Sequence, residues 1–176
     1  EKQIQRFLSF QSQLETLTRP MMVFDGNNIL LANKGKVTKP YVNLLKYYIS
    51  LSEKMGYSPV VFVHERNIPR LMELSPNFPK VISTPRGFND DWFSLFFAIQ
   101  TKSHIVSSDN FRDHLFNLDT KNNSDQFIIF LEQFQIKPNF KNRELETPKL
   151  HTRVIQRTGK YLHIPKSSGG FECILI

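Results

Sequence analysis

Asn89-Asp90-Asp91-Trp92 is the stretch that decides the fold, because two adjacent carboxylates stand directly before the dense apolar run at residues 92–99. A run of this density is buried, either as a helix or as a strand. Paired acids at its start are costly to desolvate unless a cation neutralises them. A helix N-terminus stabilises one carboxylate, and a hard divalent cation is the remaining neutraliser. For this motif alone, an ordinary helix cap with the second aspartate facing water is an open alternative.

Two further apolar runs end in aspartate, one on each side of this motif in the sequence. The run at residues 21–24 leads into Asp25, and the run at residues 104–106 leads through two serines into Asp109. In an open parallel sheet, the carboxyl ends of the strands meet at one edge, and ligands bind in the crevice there. Four carboxylates at such an edge favour a metal site, and they are Asp25, Asp90, Asp91 and Asp109.

Short apolar runs alternate with helical periodicity along most of the chain, which predicts an α/β fold with a Rossmann-like parallel sheet. The predicted strands are residues 21–24, 60–63, 81–82 and 105–106. The predicted helices are residues 1–16, 40–56 and 68–74, one opening at Asp90, one running from Asp109 through Leu118, and one at 127–134. From about Leu150 the pattern changes, because residues 152–156 and 161–164 flank a Thr158-Gly159 turn. This pattern predicts a small antiparallel β appendage at the C-terminus.

Composition indicates one domain of ordinary size with enough apolar chain for a core, at 176 residues and 40% hydrophobic content. No apolar stretch is long enough to span a bilayer and no signal-peptide pattern is present, so we expect a soluble protein without a membrane partner. The single cysteine fits a reducing compartment. Because the chain starts in a helix-like segment without Met, we expect it to be a piece of a longer protein.

The formal charge of +7 is concentrated late in the chain, where residues 137–176 carry eight lysines and arginines against three glutamates. A basic protein with a local acidic cluster has the charge distribution of a nuclease, with cations for the nucleic-acid backbone and carboxylates for the metal. A merely basic domain has the same net charge, so charge alone leaves both readings open.

Four motifs occur in order along the chain, at residues 23–28, 89–93, 107–114 and 154–165. Together they resemble the metallonuclease domain of proteinaceous RNase P, the protein-only enzyme of the NYN group within the PIN-like nucleases. The resemblance covers nearly the whole chain. The Asp25 turn by itself also suggests a haloacid-dehalogenase nucleophile, but that family needs a second aspartate where Asn27 stands.

The resemblance implies an endoribonuclease that removes the 5′ leader of precursor tRNA by hydrolysis. It implies that one or two Mg²⁺ (or Mn²⁺) ions are held by the catalytic acids Asp25, Asp90, Asp91 and Asp109. The residues expected to support these ligands or to face the substrate are Asn28, Arg112, Asp113 and His114. Two alternatives are a catalytically silent pseudo-nuclease that binds RNA and depends on partners, and a NYN nuclease acting on other RNA.

The resemblance also divides the chain into three parts. These are a leading amphipathic helix at residues 1–18, a NYN metallonuclease domain at 19–145, and a hairpin appendage at 146–176 that belongs to the family's central zinc-binding region. His163 and Cys173 are candidates for half of a structural Zn²⁺ site in the full-length protein. The alternative makes His163 an ordinary hairpin residue and Cys173 a small buried hydrophobe.

The partners that the resemblance implies are precursor tRNA, accessory tRNA-binding proteins, and a pentatricopeptide-repeat domain upstream in the full-length chain. The expected compartment is mitochondrial, with a nuclear location as the alternative. Without the upstream RNA-binding arm, we expect the isolated domain to be weakly active or inactive.

Overall fold

The computed structural model describes residues 20–116, 121–148, 156–165 and 171–175. The predicted leading helix at residues 1–18 and the first part of the predicted C-terminal hairpin, residues 152–155, lie outside this described part. Within it, the strands are β1 Met21–Asp25, β2 Ser58–His64, β3 Ile82–Thr84, β4 His104–Val106, β5 Gln135–Asn139, β6 Glu144–Glu146, β7 Gln156–Thr158, β8 Tyr161–Pro165 and β9 Phe171–Leu175. The helices are α1 Gly26–Leu30, α2 Lys39–Lys54, α3 Ile68–Leu74, α4 Asp90–Thr101, α5 Arg112–Phe116 and α6 Lys121–Phe134.

The main sheet has six strands in the order β3-β2-β1-β4-β5-β6. The first five are parallel, and β6 is antiparallel to β5. From β1 in the middle of the sheet, the chain moves outward to β3 and returns to the other side of β1 as β4. The crevice outside the carboxyl ends of β1 and β4 is therefore the topological switch point, where Rossmann-like sheets bind ligands. The predicted α/β fold class is confirmed.

β1 is buried on both faces because helices cover both sides of the sheet. On one face Met22 and Phe24 pack with α2, which contributes Leu45 and Tyr48 to the same core. On the other face Val23 packs in a second core, with side chains from α4 and α6. Alternate residues of a strand point to opposite faces, so one apolar run supplies both cores.

Two predicted helices differ from the structure at their exposed residues or ends. α4 is a helix, but Trp92 and Ile99 are 40% and 43% exposed and leave the buried positions to Ser94, Leu95, Phe97 and Ala98. The helix predicted to open at Asp109 begins instead at Arg112. The backbone of Phe111 has a φ of 51°, in the left-handed region, and this interrupts a helix that would start earlier.

Two strands in the second half of the main sheet were not predicted. β5 contains Pro138 and polar residues, and β6 has only three residues, Glu144–Glu146, with exposed acids at both ends. Neither segment has the apolar run that marks a buried strand. β3 was predicted at residues 81–82 and lies slightly later, at Ile82–Thr84.

The C-terminal part forms a separate antiparallel sheet in the order β7-β8-β9. The Thr158-Gly159 turn joins β7 to β8, and Gly159 has a φ of 61°, which suits glycine. β9 adds a third strand to the predicted hairpin. Among the described residues, no helix has both the length and the apolar character needed to cross a membrane.

Candidate metal centre

The turn after β1 brings Asp25 to the switch point, because α1 begins at the next residue. α1 starts against the backbone of β2, where a Cβ at Gly26 would lie 2.5 Å from the carbonyl oxygen of Phe62. Glycine is the residue that permits such a close approach. The Asp25 carboxylate caps α1, and its Oδ1 accepts a hydrogen bond from the Asn28 N–H at 3.1 Å.

The residues after β4 tie the end of that strand to the end of β1. The buried Ser107 hydroxyl donates to Asp25 Oδ2 at 2.9 Å and accepts from the Asp109 N–H at 3.2 Å. Asn28 Oδ1 accepts from the Ser108 N–H at 2.9 Å and from the Ser108 hydroxyl at 2.7 Å. The orientation of the Asp25 carboxylate therefore depends on both strands that flank the crevice.

Asp90 and Asp91 form the first turn of α4, and Asn89 is its N-cap. Asn89 Oδ1 accepts from the Asp91 N–H at 3.0 Å, which satisfies one free donor of the helix start. The buried Asn27 amide donates to Asp90 and accepts from the Asn67 amide at 2.9 Å. The start of α4 is thereby linked to α1 and to the segment before α3.

The four predicted acids line one cleft of about 540 Å³ at the switch point. Asp25, Asp90 and Asp91 each offer a carboxylate oxygen, and these three oxygens lie within 4.8 Å of one another. Asp109 is exposed and stands outside this triangle, with its Oδ1 accepting from the Phe111 N–H at 2.8 Å. Three acids thus form one group of hard oxygen donors, and the fourth lies beside it.

The electrostatics of the triangle favour a bound cation. Burial raises the pKa of Asp25 to about 7, the negative charge of Asp91 adds to the rise, and the Asn28 N–H and Ser107 hydroxyl oppose it. Burial also raises the pKa of Asp91, against the opposing hydrogen bond from His114. The raised pKa values show that Asp25 and Asp91 are unstable as neighbouring anions, so a divalent cation bound by the triangle would stabilise their charged forms.

His114 lies behind Asp91 and is buried, with 3% of its surface exposed. Its Nε2 is 3.3 Å from Asp91 Oδ2, and its ring stands edge-on to Trp92 at a centroid distance of 4.5 Å. Nδ1 has no hydrogen-bond partner within the described part of the chain. His114 is thus packed inside the protein, and its contact orients the Asp91 carboxylate.

The other predicted supporting residues differ in position. Asn28 lies within the site, through its hydrogen bonds to Asp25 and Ser108. Arg112 and Asp113 are exposed on the first turn of α5. Several further residues of the cleft lining were not predicted, among them Tyr41, Arg66 and Phe140. Arg66 follows the end of β2 by two residues, so the rule that parallel strand ends converge could have found it.

The two predicted zinc candidates lie on neighbouring strands of the C-terminal sheet. The register pairs His163 of β8 with Cys173 of β9, and Cys173 is exposed. A closed structural zinc site needs four ligands. His163 and Cys173 supply only two of these ligands, so the zinc half-site stays a prediction about the full-length protein.

The Rossmann-like sheet with carboxylates clustered at its switch point has the architecture of a NYN metallonuclease domain. The sequence profile of the family described as "Protein-only RNase P" matches residues 1–173. The chain therefore belongs to the protein-only RNase P family, as its motifs predicted.

Individual relatives agree with this assignment. The chain is 30% identical to Proteinaceous RNase P 2 and 28% identical to Proteinaceous RNase P 3, both of Arabidopsis thaliana, and each match covers 92% of the chain. It covers 33% and 30% of these proteins, so it spans about a third of their length. The solved structure of A. thaliana nuclear protein-only RNase P 2 superposes with a TM-score of 0.70 at 28% identity, over 95% of this chain and 38% of that one.

Proposed function

We propose that this chain is the catalytic domain of a metal-dependent endoribonuclease that removes the 5′ leader of precursor tRNA. The observation that carries the proposal is the triangle of Asp25, Asp90 and Asp91 at the switch point of the sheet. Family membership supplies the substrate class, since the relatives are named as RNase P proteins.

The donor set of the cleft fits Mg²⁺ or Mn²⁺. All three triangle ligands are carboxylates, and hard oxygen donors are the ligands these ions prefer. Asp109 is assigned as the fourth acid of the cleft. When bound, a divalent cation lowers the pKa of water and neutralises the charge that gathers on the phosphoryl oxygens.

The chain's own residues hold this arrangement in place. Ser107 and the Asn28 N–H fix the two oxygens of Asp25, while His114 orients Asp91. Arg66 lines the cleft as an exposed cation and can contact a phosphate of the RNA. In the reaction, a water oxygen bonds to phosphorus and the bond to the 3′ oxygen of the leader breaks. The leader keeps a 3′ hydroxyl, and the tRNA keeps a 5′ phosphate.

Partners and location are further parts of the proposal. We assign the chain to a longer protein with an upstream pentatricopeptide-repeat domain, and we keep accessory tRNA-binding proteins as partners. The three-part division at residues 1–18, 19–145 and 146–176, and a zinc half-site at His163 and Cys173, stay within the proposal. A mitochondrial location is proposed with the nucleus as the alternative, since one relative is named chloroplastic/mitochondrial and another nuclear.

The test is cleavage-site mapping on a precursor tRNA with the intact protein, with and without Mg²⁺. We expect one cut at the junction of leader and tRNA, and a loss of several orders of magnitude in rate for Asp91→Asn. Asp125→Asn, which removes an exposed acid outside the cleft lining, is the matched control and should cleave normally.

Three outcomes contradict the proposal in different ways. Wild-type rates for Asp91→Asn at saturating Mg²⁺ would remove the assigned site. RNA binding without hydrolysis, under conditions where the metal binds, would support the pseudo-nuclease alternative. Preferential cleavage of unstructured RNA would support a NYN nuclease with another substrate.

A further inference from the structure

A second groove, with a volume of about 560 Å³, adjoins the carboxylate cleft. We call it the α2 groove, because it lies between the first turns of α2 and the turn that joins β5 to β6. Its lining includes Lys39, Tyr41, Tyr47, Phe140 and Arg143. Tyr41 and Phe140 line both the α2 groove and the carboxylate cleft, so a chain-like ligand can pass from one to the other.

The α2 groove presents aromatic rings to solvent. Tyr47 is 48% exposed, and Tyr41 and Phe140 are half-buried with their ring centroids 6.3 Å apart. Aromatic residues on a helix more often point into a core, and the neighbouring Tyr48 does so. Rings left open beside a nucleic-acid-cleaving site provide flat surfaces on which unpaired bases stack.

The charge of the α2 groove is opposite to that of the cleft. Lys39 and Arg143 are exposed cations, and none of its lining residues in the described chain is acidic. Lys39 also donates to the carbonyl of Leu74, which fixes the position of its ammonium group. Cations beside exposed aromatic rings are the combination that binds single-stranded RNA, through its phosphates and its bases together.

The turn that forms one wall of the groove is held rigidly. The buried Tyr48 donates its hydroxyl hydrogen to the Asn139 carbonyl at 2.8 Å. The Asn139 side chain accepts from the N–H groups of Lys141 and Asn142 at 3.1 and 3.0 Å. Arg143 closes the turn with a φ of 56°, a conformation that side-chain-bearing residues adopt only at a cost. The wall is therefore formed before any ligand arrives, which lowers the entropy lost on binding.

We propose that the α2 groove binds the single-stranded leader of the substrate as it leaves the carboxylate cleft. The leader bases stack on Tyr47 and on the Tyr41–Phe140 pair, and leader phosphates meet Lys39 and Arg143. This inference rests on the proposed function and adds a contact that the hydrolytic centre does not supply. Stacking and phosphate contacts tolerate any base, so we expect leader length to govern this contact more than leader sequence.

The first experiment measures binding of a labelled single-stranded RNA to the intact protein in EDTA, where no hydrolysis occurs. Arg143→Gly removes the cation and suits the backbone at φ 56°. Lys102→Gly is the matched control, because Lys102 has the same charge, a φ of 50° and a position at the far end of α4. Of these two variants, we expect only Arg143→Gly to weaken binding. The salt dependence of its binding should fall by about one phosphate contact.

The second experiment separates stacking from charge. Tyr47→Leu keeps an apolar side chain but removes the ring, and should weaken binding of the same RNA roughly 5- to 150-fold, the range for loss of one stacked base. In cleavage assays, this variant should raise KM for precursor tRNA with a long leader and leave KM unchanged for a leader of a single nucleotide. kcat should stay at the wild-type value on both substrates.

The results distinguish this inference from the proposed function. The wild-type protein could bind the single strand through the α2 groove but cleave no precursor tRNA. That result would support RNA binding in the groove and contradict the proposed function. Equal effects of Tyr47→Leu on both leader lengths would overturn the inference, as would wild-type binding by Arg143→Gly. A dependence on the tRNA 3′ end instead of the leader would also overturn it.

Discussion

Asp25 is the residue on which the carboxylate cleft depends most. Its side chain is buried, it caps α1, and it accepts a hydrogen bond from Ser107 on the neighbouring strand end. Burial and the charge of Asp91 raise its pKa from 3.8 to about 7. Without a cation, the folded chain therefore holds a proton on Asp25 under conditions where the unfolded chain has lost it.

The pH dependence of stability follows from this difference. Between pH 3.8 and about 7, the folded state binds the extra proton, so the metal-free chain loses stability as the pH rises through this window. The total loss from this group is on the order of 4 kcal/mol. Asp25→Asn, which cannot ionise, should remove that loss and be more stable than wild type above about pH 7.

Urea unfolding in EDTA at several pH values measures this effect as the difference between variant and wild type. Asp125→Asn is the control, because it removes an exposed acid outside the cleft lining. Parallel profiles for Asp25→Asn and wild type would show that Asp25 ionises normally in the folded chain.

Among single residues, the acids of the cleft could be predicted from the sequence, but the groups that hold them in place could not. Aspartates at the ends of apolar runs are visible because strand ends converge in a parallel sheet. Asn27, which donates to Asp90, looks like an ordinary turn residue until α4 is placed next to α1. The buried contact of His114 with Asp91 also needs three-dimensional proximity, which sequence spacing does not reveal.

Among the elements, α4 carries two of the three triangle acids, so its N-terminus sets the geometry of the site. Asn89→Ala removes the cap that receives the Asp91 N–H, and should lower the free energy of unfolding by about 1 kcal/mol. Asn89→Ser retains a capping oxygen and should lie close to wild type. Urea denaturation curves of the two variants provide the comparison. Equal stability of the alanine and serine variants would mean that the Asn89 hydrogen bond contributes nothing.

The predictability of each element depends on how local its signal is. α3 was predicted with the observed bounds, and β1 and β2 were predicted because they are apolar runs. β5 and β6 were missed because their partners in the sheet, and not their own hydrophobicity, make them strands. The early start predicted for α5 was wrong because Asp109 closes a turn onto the Phe111 N–H instead of capping a helix.

For the whole molecule, a cation that binds only the folded state must stabilise it. At a Mg²⁺ concentration a hundredfold above Kd, we expect about 2.7 kcal/mol of added stability near neutral pH. Asp91→Asn should lose most of this gain, because it removes one of three clustered ligands. Thermal unfolding with and without Mg²⁺ measures the effect, with KCl at matched ionic strength as the control. An equal rise in Tm with both salts would indicate general screening and no specific site.

The hydrogen bond from Ser107 to Asp25 joins residues 82 positions apart in the chain, and Asn27 meets Asp90 across 63 positions. No short segment of the chain contains all the residues of the carboxylate cleft. A chain emerging from the ribosome therefore has no complete cleft until β4 has been synthesised and has paired with β1. The acids of the cleft are consequently far apart in the nascent chain. The cleft is complete only when the central strands have paired.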